Sequence, residues 1–378
     1  MPEGKRMAAV ISAYNEERNI GRSMDYLNDL AEYIHVILVD DGSTDSTPKI
    51  MHEYEAKANK NLHFVYEPVN KRKVGAVKDC VRCIDELAGE KIDYIGMFDA
   101  DGRIRNPDDL EDALEILDGD KELGGLALRI EPMNENNILA KMQKHVIYPV
   151  NRAIHRFTSG KRQIRCSPGG GSIYRREALE IALEEHSGKH SSDDFEITTS
   201  VQKHGWEMKY HPDIIVETVV PDTLKGYVDQ QARWRLGGLQ TMDKEGKFFA
   251  GKVKKGTRLG AVMGMEAALW ASIPASIAYW IKCGIEGDAY GFLQTAATNT
   301  AISTAITGGM LYYNREELTN VKETLKMIPA LPFYAYATFA SSLIAGMKYL
   351  YYKASKSKEK AKSAAKDNEF SLDGVPTD

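Results

Sequence analysis

The sequence predicts an α/β chain: a doubly wound domain followed by C-terminal transmembrane helices. Three observations lead there. Short apolar runs alternate with helix-like segments through the first hundred residues. Three of those runs end in polar, acidic loops. After residue 259 come three long windows with almost no charge.

The first run, residues 7–12, reads as a strand and stops at Ala13-Tyr14-Asn15-Glu16-Glu17. Asn15 is a suitable N-cap for a helix to about residue 30. Residues 35–39, His-Val-Ile-Leu-Val, form a second strand that stops at Asp40-Asp41-Gly42-Ser43-Thr44-Asp45. Asp45 or Ser46 then caps a helix to about residue 55. A strand at 62–66, a helix at 72–87 and a strand at 94–98 complete a β-α-β-α-β-α-β pattern. Ligands of open α/β sheets bind at the carboxyl ends of the strands. Three acidic loops at one such edge make a nucleotide pocket; ordinary turn residues that cap helices are the other reading, and three loops together oppose it.

Asp99-Ala100-Asp101 follows the strand at 94–98. Two carboxylates one residue apart repel each other unless a cation joins them. An oxygen donor set suits a hard divalent ion, Mg²⁺ or Mn²⁺, that also carries a diphosphate. An isolated Asp-x-Asp is a weak signal, because most such pairs are solvated turns. Its company raises this one.

Further on, Ser167-Pro168-Gly169-Gly170-Gly171-Ser172 can bring backbone close to a ligand. It lacks the Gly-x₄-Gly-Lys-Ser/Thr pattern of a phosphate loop, and a plain hinge is the other reading. Ser192-Asp193-Asp194 opens a helix to about residue 204. Strands are expected at 206–210 and 214–220. Gln230-Gln231-Ala232-Arg233-Trp234 lies on a helix that, taken alone, reads as amphipathic with Trp234 in the core.

Together these motifs, in this order over residues 7–240, resemble inverting family 2 glycosyltransferases of the processive, membrane-embedded kind. That group contains the synthases of poly-N-acetylglucosamine, hyaluronan, chitin and cellulose. The matching pieces are Ala13-Tyr14-Asn15-Glu16, Asp40-Asp41-Gly42, Asn70-Lys71-Arg72-Lys73, Asp99-Ala100-Asp101, Ser192-Asp193-Asp194 and the Gln-x-x-Arg-Trp box at 230–234. The stretch 221–226 resembles the poly-N-acetylglucosamine branch in particular.

The resemblance implies a glycosyltransferase A-type, nucleotide-sugar-binding domain and a set of roles. Tyr14, Glu16 and Asp41 contact the uridine of a UDP-sugar. Lys73 lies near the nucleotide, where a cation offsets diphosphate charge. Asp99 reaches the nucleotide-sugar, and Asp101, with Asp99, holds the metal. Gly170 borders the acceptor. Asp194 is the general base that takes the proton of the acceptor hydroxyl; Asp193 is its competitor. Many relatives have Thr and Glu where this chain has Ser192 and Asp193, a mild departure. Gln230 and Arg233 bind the diphosphate region, and Trp234 offers an apolar face to an acceptor sugar. The implied acceptor is a growing polysaccharide. A lipid-linked acceptor is the alternative, and a catalytically silent membrane scaffold is a third reading that the intact carboxylate set opposes.

The chain divides into a cytoplasmic catalytic domain at 1–240, a basic interfacial linker at 241–258, a membrane region of two or three spans at 259–352 and a Lys-rich disordered tail at 353–378. The windows 259–281, 289–313 and 328–347 each reach the length of a bilayer span. The second also suits a buried soluble helix. Glu266 is the single charge within the first window, so it should face protein or a polar channel. Lys247, Lys252, Lys254, Lys255 and Arg258 keep the catalytic domain cytoplasmic by the positive-inside rule. Three full spans would export the basic tail against that rule. Either the tail is exported or one window is interfacial or re-entrant, and Pro329 and Pro332 make the third the candidate.

Polymer synthases usually carry helices before the catalytic domain, and here the first strand starts near residue 7. A three-window pore is small. The chain therefore oligomerises, makes a short product or glycosylates a lipid. Cys80 and Cys83 sit one helical turn apart and read as packing residues. With 49 Lys and Arg against 54 Asp and Glu, the net charge of −5 leaves no nucleic-acid footprint. The basic linker suits anionic lipid headgroups instead.

Overall fold

The computed structural model describes residues 6–372. The catalytic half runs β1 (Met7–Ala13), α1 (Ile20–Leu30), β2 (His35–Asp40), α2 (Thr47–Glu55), β3 (Leu62–Tyr66), α3 (Arg72–Arg82), α4 (Ile84–Ala88) and β4 (Tyr94–Asp99). It continues with β5 (Arg103–Ile104), α5 (Leu110–Gly119), β6 (Leu123–Pro132), α6 (Ile138–Met142), a π-helical turn and α7 (Tyr148–Ser159). β7 (Gly171–Arg175), α8 (Arg176–Glu185), α9 (Asp193–Lys203) and β8 (Glu207–Thr218) close it. The remainder is helical: α10 (Leu224–Lys244), α11 (Gly246–Lys254), α12 (Arg258–Glu286), α13 (Ala289–Tyr313), α14 (Val321–Met327) and α15 (Leu331–Leu372).

One sheet of eight strands has the order β3-β2-β1-β4-β7-β6-β8-β5. The first four strands are parallel, as the alternating pattern predicts. The sheet as a whole is mixed, because β7 runs antiparallel to both β4 and β6. Strand order reverses between β1 and β4, so the crevice at their carboxyl ends is the topological switch point.

Alternation along β1 explains both faces. Met7, Ala9, Ile11 and Ala13 join one core with α1, α2 and α5. Ala8 and Val10 join the other with α3, α8 and α9. All six residues of β2 are buried. Each fully buried Val, Leu or Ile contributes about 1.5–3 kcal/mol, so these central strands form a rigid base for their loops.

Several sequence expectations shift. Asn15 does not cap α1, which begins at Ile20; Asn15 instead sits in the left-handed region at φ 55°. The helix expected at 72–87 breaks at Cys83 into α3 and α4. Cys80 is a core residue and Cys83 is exposed, and both are free thiols. The two strands expected after α9 are one strand, β8, with a register shift against β6 where Leu128 gives way to Arg129. Residues 373–378 of the expected disordered tail lie outside the described residues. The rest of that tail continues α15 to Leu372, in keeping with its wealth of the strong helix formers Ala, Lys and Glu.

Candidate active site

The register pairs Ser12 with Asp99 and Ala13 with Asp40. The ends of β1, β2 and β4 therefore lie level at the sheet edge. The turn after β4 closes when Gly102 N–H donates to Asp99 O at 3.0 Å. Ser23 of α1 pins it from behind, its hydroxyl donating to Ala100 O at 2.7 Å. Asp99 projects half-exposed. The Asp101 carboxyl is pushed up to about 6, first by burial and then by the charge of Asp99, with Glu16 adding and Lys73 opposing. Glu16, Lys73, Asp99 and Asp101 thus share one electrostatic environment.

The loops after β1 and β2 are tied together. Asn15 N–H donates to Ser43 Oγ at 2.9 Å, Thr44 N–H to Asn15 Oδ1 at 2.9 Å and Glu16 N–H to Thr47 Oγ1 at 2.8 Å. Tyr14 is left 45% exposed, its ring unclaimed by the core. Asp41 is buried, and its Oδ1 accepts from Lys71 N–H at 2.7 Å. Burial raises its carboxyl above the usual range. Gly42 is required here: φ is +68°, and a Cβ would stand 2.5 Å from Asn70 N. Asp41 and Gly42 hold the 69–71 segment against β2, and that segment starts α3 with Lys73 on its first turn.

Lys73 joins two regions that are distant in sequence. Its ammonium bonds to Asp99 Oδ1 and donates to Gly169 O at 2.9 Å. The glycine loop then passes between the two sets of carboxylates. A Cβ on Gly170 would lie 2.2 Å from Asp99 Oδ2, and one on Gly169 would lie 3.4 Å from Asp194 Cβ. At 170 only bare backbone fits, whereas at 169 a Cβ would be in ordinary contact.

Asp194 stands in the first turn of α9. Its Oδ1 accepts from the Ser192 hydroxyl and from Phe195 N–H at 2.8 Å, which fixes the carboxylate plane. The neighbouring Asp193 carboxyl is pushed up to about 6 by burial and by Asp194, while Lys73 and Arg72 oppose. Glu196, one turn on, is buried and ionised. It accepts from Ser187 N–H and Ser187 Oγ, both at 2.9 Å, pairs with His190 at 2.8 Å and bonds Lys244. Those bonds hold its carboxyl far below the usual range against the cost of burial. Glu196 therefore ties the 186–192 loop and the end of α10 to the helix that carries Asp194.

α10 brings the Gln-x-x-Arg-Trp box to this turn. A Cβ on Gly237 would fall 2.2 Å from Ser192 Cβ, and Ser191 N–H donates to Gln240 Oε1 at 2.9 Å. Gln230, Arg233, Trp234 and Gly237 follow helical spacing along one side of α10. Gln230 Oε1 is buried without a hydrogen-bond partner. Arg233 is exposed and Trp234 half-buried. Among the described residues no hydrogen bond joins Arg233 or Trp234 to the carboxylates, so the box flanks the cluster rather than entering it.

Three participants carried no sequence signal of their own. Tyr148, at the start of α7, has its phenol raised by burial, with Asp101 and Asp99 adding; it lies beside the metal-type pair. Arg165 has its guanidinium 5.0 Å from the centre of the Phe195 ring and pairs with Glu266 of α12. Glu196 looked like any helix glutamate. Position in the fold alone gives each its role.

The carboxylate pair fits a divalent cation. Asp99 and Asp101 offer oxygen donors, and burial first, then the charge of Asp99, raises the Asp101 carboxyl, which a bound cation would offset. Among the described residues no group of three or more His, Cys, Asp and Glu gathers into a metal cage. Two carboxylates plus ligand phosphates are the usual setting for such an ion.

Known proteins resemble this chain in sequence and fold. A family model described as Glycosyl transferase family 2 matches residues 8–181. The chain is 25% identical over 235 residues to a poly-beta-1,6-N-acetyl-D-glucosamine synthase of Staphylococcus epidermidis, covering 62% of this chain and 54% of that protein. The same-named protein of Staphylococcus aureus is 24% identical over 242 residues, covering 64% and 56%. The chain thus spans about half the length of these curated relatives. Among solved structures, the mannosyltransferase PcManGT from Pyrobaculum calidifontis, in complex with GDP-Man and Mn²⁺, superposes with a TM-score of 0.55 at 18% identity. The match covers 92% of this chain and 88% of that one. That likeness is one of fold.

Proposed function

Because a family 2 glycosyltransferase model matches residues 8–181, we propose that the protein is a membrane-bound inverting enzyme of that family. It moves a hexose or N-acetylhexosamine from a UDP-sugar to a growing polysaccharide. The observation that carries this reading is the meeting of Asp99, Lys73, the Gly169-Gly170 turn and Asp194. Donor-side carboxylates and an acceptor-side base then lie across one glycine turn, as direct displacement requires.

Tyr14, Glu16 and Asp41 bind the uridine, and Lys73 and Arg233 offset diphosphate charge. Asp194 takes the proton of the acceptor hydroxyl as that oxygen attacks the anomeric carbon. The bond from that carbon to the diphosphate oxygen breaks in the same step, so the configuration inverts and the electron pair leaves on UDP. A divalent ion held by Asp99 and Asp101 supplies charge neutralisation to the diphosphate. Gln230 and Trp234 position the acceptor, with the sugar stacked on the indole. Gly170 keeps the passage between donor and acceptor open. The catalytic domain faces the cytoplasm.

A lipid-linked acceptor is the second reading. Two helices among the described residues are long and apolar enough to cross a membrane.

The test is UDP release by detergent-purified protein with Mg²⁺ or Mn²⁺ against a panel of UDP-sugars, with the product sized and partitioned. A growing water-soluble product supports polymer synthesis. A product extracted into organic solvent moves the reading to a lipid acceptor. No release with any UDP-sugar overturns the donor assignment.

A further inference from the structure

His186, His190, Asp193 and Glu196 gather beside the turn that carries Asp194, and the transfer step uses none of them directly. They lie on the loop that leaves α8 and on the first turn of α9. The His186 side chain is 1% exposed and that of Glu196 2%, against 26% for Asp193. His186 Nε2 stands 3.5 Å from Asp193 Oδ1 and 3.5 Å from Glu196 Oε2. It is buried and has no full hydrogen-bond partner.

The backbone decides where the proton of that imidazole sits. Gly188 N–H donates to His186 Nδ1 at 3.0 Å, from a left-handed turn at φ +65° that suits glycine. Nδ1 therefore accepts, and the neutral ring keeps its proton on Nε2. Burial brings the imidazole down to about 4; Glu196 opposes this, and Lys244, His190 and Lys78 add to it. At neutral pH the ring is an uncharged donor aimed between two carboxylates.

Those carboxylates differ in what else they have. Glu196 accepts from Ser187 N–H and Ser187 Oγ and pairs with His190 and Lys244. Asp193 has no such shell. Among the described residues His186 is the one basic side chain in ionic contact with it. Lys73 and Arg72 of α3 favour its charge without touching it, while Asp194 and Glu196 oppose that charge. An apolar side chain at 186 would leave Asp193 largely buried with no donor, and a buried carboxyl without a donor takes up a proton.

We propose that His186 is a positioning residue for the base: its Nε2–H holds a negatively charged Asp193 beside Asp194. A like charge nearby favours the protonated form of a carboxylate. Asp194 then takes the acceptor proton more readily than it would beside a neutral residue. His186 touches neither donor nor acceptor and acts through Asp193. The inference rests on Asp194 as the base of the transferase proposed above, and it gives Asp193 a part other than competitor.

The experiment takes two readouts on the full chain in detergent, and the first needs no turnover. Aspartate labelled with carbon-13 at the carboxyl is titrated by NMR, and the Asp193 signal is identified by its absence in Asp193→Asn. Asp193 is expected to ionise near pH 6, and about one pH unit higher in His186→Leu. His186→Gln should stay close to wild type, because its amide N–H can replace Nε2–H. The second readout is UDP release against pH with the preferred UDP-sugar. The acid limb of kcat is expected to move up by about one pH unit in His186→Leu, with the alkaline plateau and the acceptor KM kept. A rate lowered equally at every pH would reduce His186 to a structural role and overturn the proposal, as would an unshifted Asp193 titration. Should His186→Leu not fold, Asp193→Asn carries the test, with kcat at neutral pH lowered about threefold to tenfold. Wild-type kcat in that variant would sink the proposal, and a loss of about 10²-fold or more would do so by making Asp193 the base. A shifted titration without UDP release by the wild-type protein would leave His186 on Asp193 and remove the transferase reading alone.

Discussion

Gly237 of α10 and Ser192 at the head of α9 meet with no room for a side chain between them: a Cβ at 237 would stand 2.2 Å from Ser192 Cβ and 2.4 Å from Ser192 N. The helix that carries Arg233 and Trp234 therefore rests directly on the turn that presents Asp194. Neither surface can move without the other.

Gly237→Ala is expected to impair transfer more than folding. Overpacking of this kind costs about 1–3 kcal/mol, enough to push the Ser192 turn and with it the base. UDP release should fall by about 10-fold or more, with a thermal midpoint only a few degrees lower. Wild-type turnover in this variant would show that the contact does not position the base.

Asp194→Asn keeps the shape and can still accept from Phe195 N–H, but it is a far weaker base. Transfer is expected to fall by about 10²–10⁴-fold, with nucleotide affinity unchanged by calorimetry. Retained activity would transfer the role to Asp193.

The Asp101 carboxyl gives a pH signature. Its value in the fold is about 6 against an ordinary 3.8, so its ionisation works against folding when no cation is present. That penalty develops as pH rises from about 4 through 6 and is complete above. A divalent cation removes it and competes with a proton below 6. Mn²⁺ is expected to raise the thermal midpoint at pH 7.5 and to do little at pH 5. An equal rise at both values would count against Asp101 as a ligand.

The Arg165–Glu266 pair makes a separate prediction. Glu266→Leu strands the Arg165 charge and should lower stability in detergent by about 1–3 kcal/mol. Adding Arg165→Met should restore much of that, because two apolar groups replace a matched pair at small cost. Comparable denaturation midpoints for the single and double variants would mean that the pair is not formed.

Trp234→Ala is expected to raise the KM for acceptor while leaving hydrolysis of the sugar donor nearly unchanged. The pair of rates separates a stacking platform from a core residue, whose loss would depress both.

Much of the catalytic fold was legible because it rests on local signals. Short apolar runs marked β1, β2 and β4, and the acidic ends of those strands marked the edge. What stayed hidden depends on distant pairing. Nothing near residue 171 says that β7 runs antiparallel, since direction follows from the route of the chain between α7 and Gly171. Asn15 was read as a cap from its residue type, but its side chain serves Thr44 across the loop instead. Lys73 was expected near a nucleotide; its bonds to both Asp99 and Gly169 depend on how distant loops meet. The window of α15 has the composition of a span, and its burial at Leu331 and Ala337 and the pairing of Lys353 with Asp243 came only with the fold.

The Arg165–Glu266 pair also joins two distant parts of the chain. Glu266 lies two turns inside α12 and is held by the catalytic domain. Arg165 also lies over Phe195, next to Asp194. The first long apolar helix and the turn that carries Asp194 therefore share one support, and a shift of that helix would be transmitted to the carboxylate.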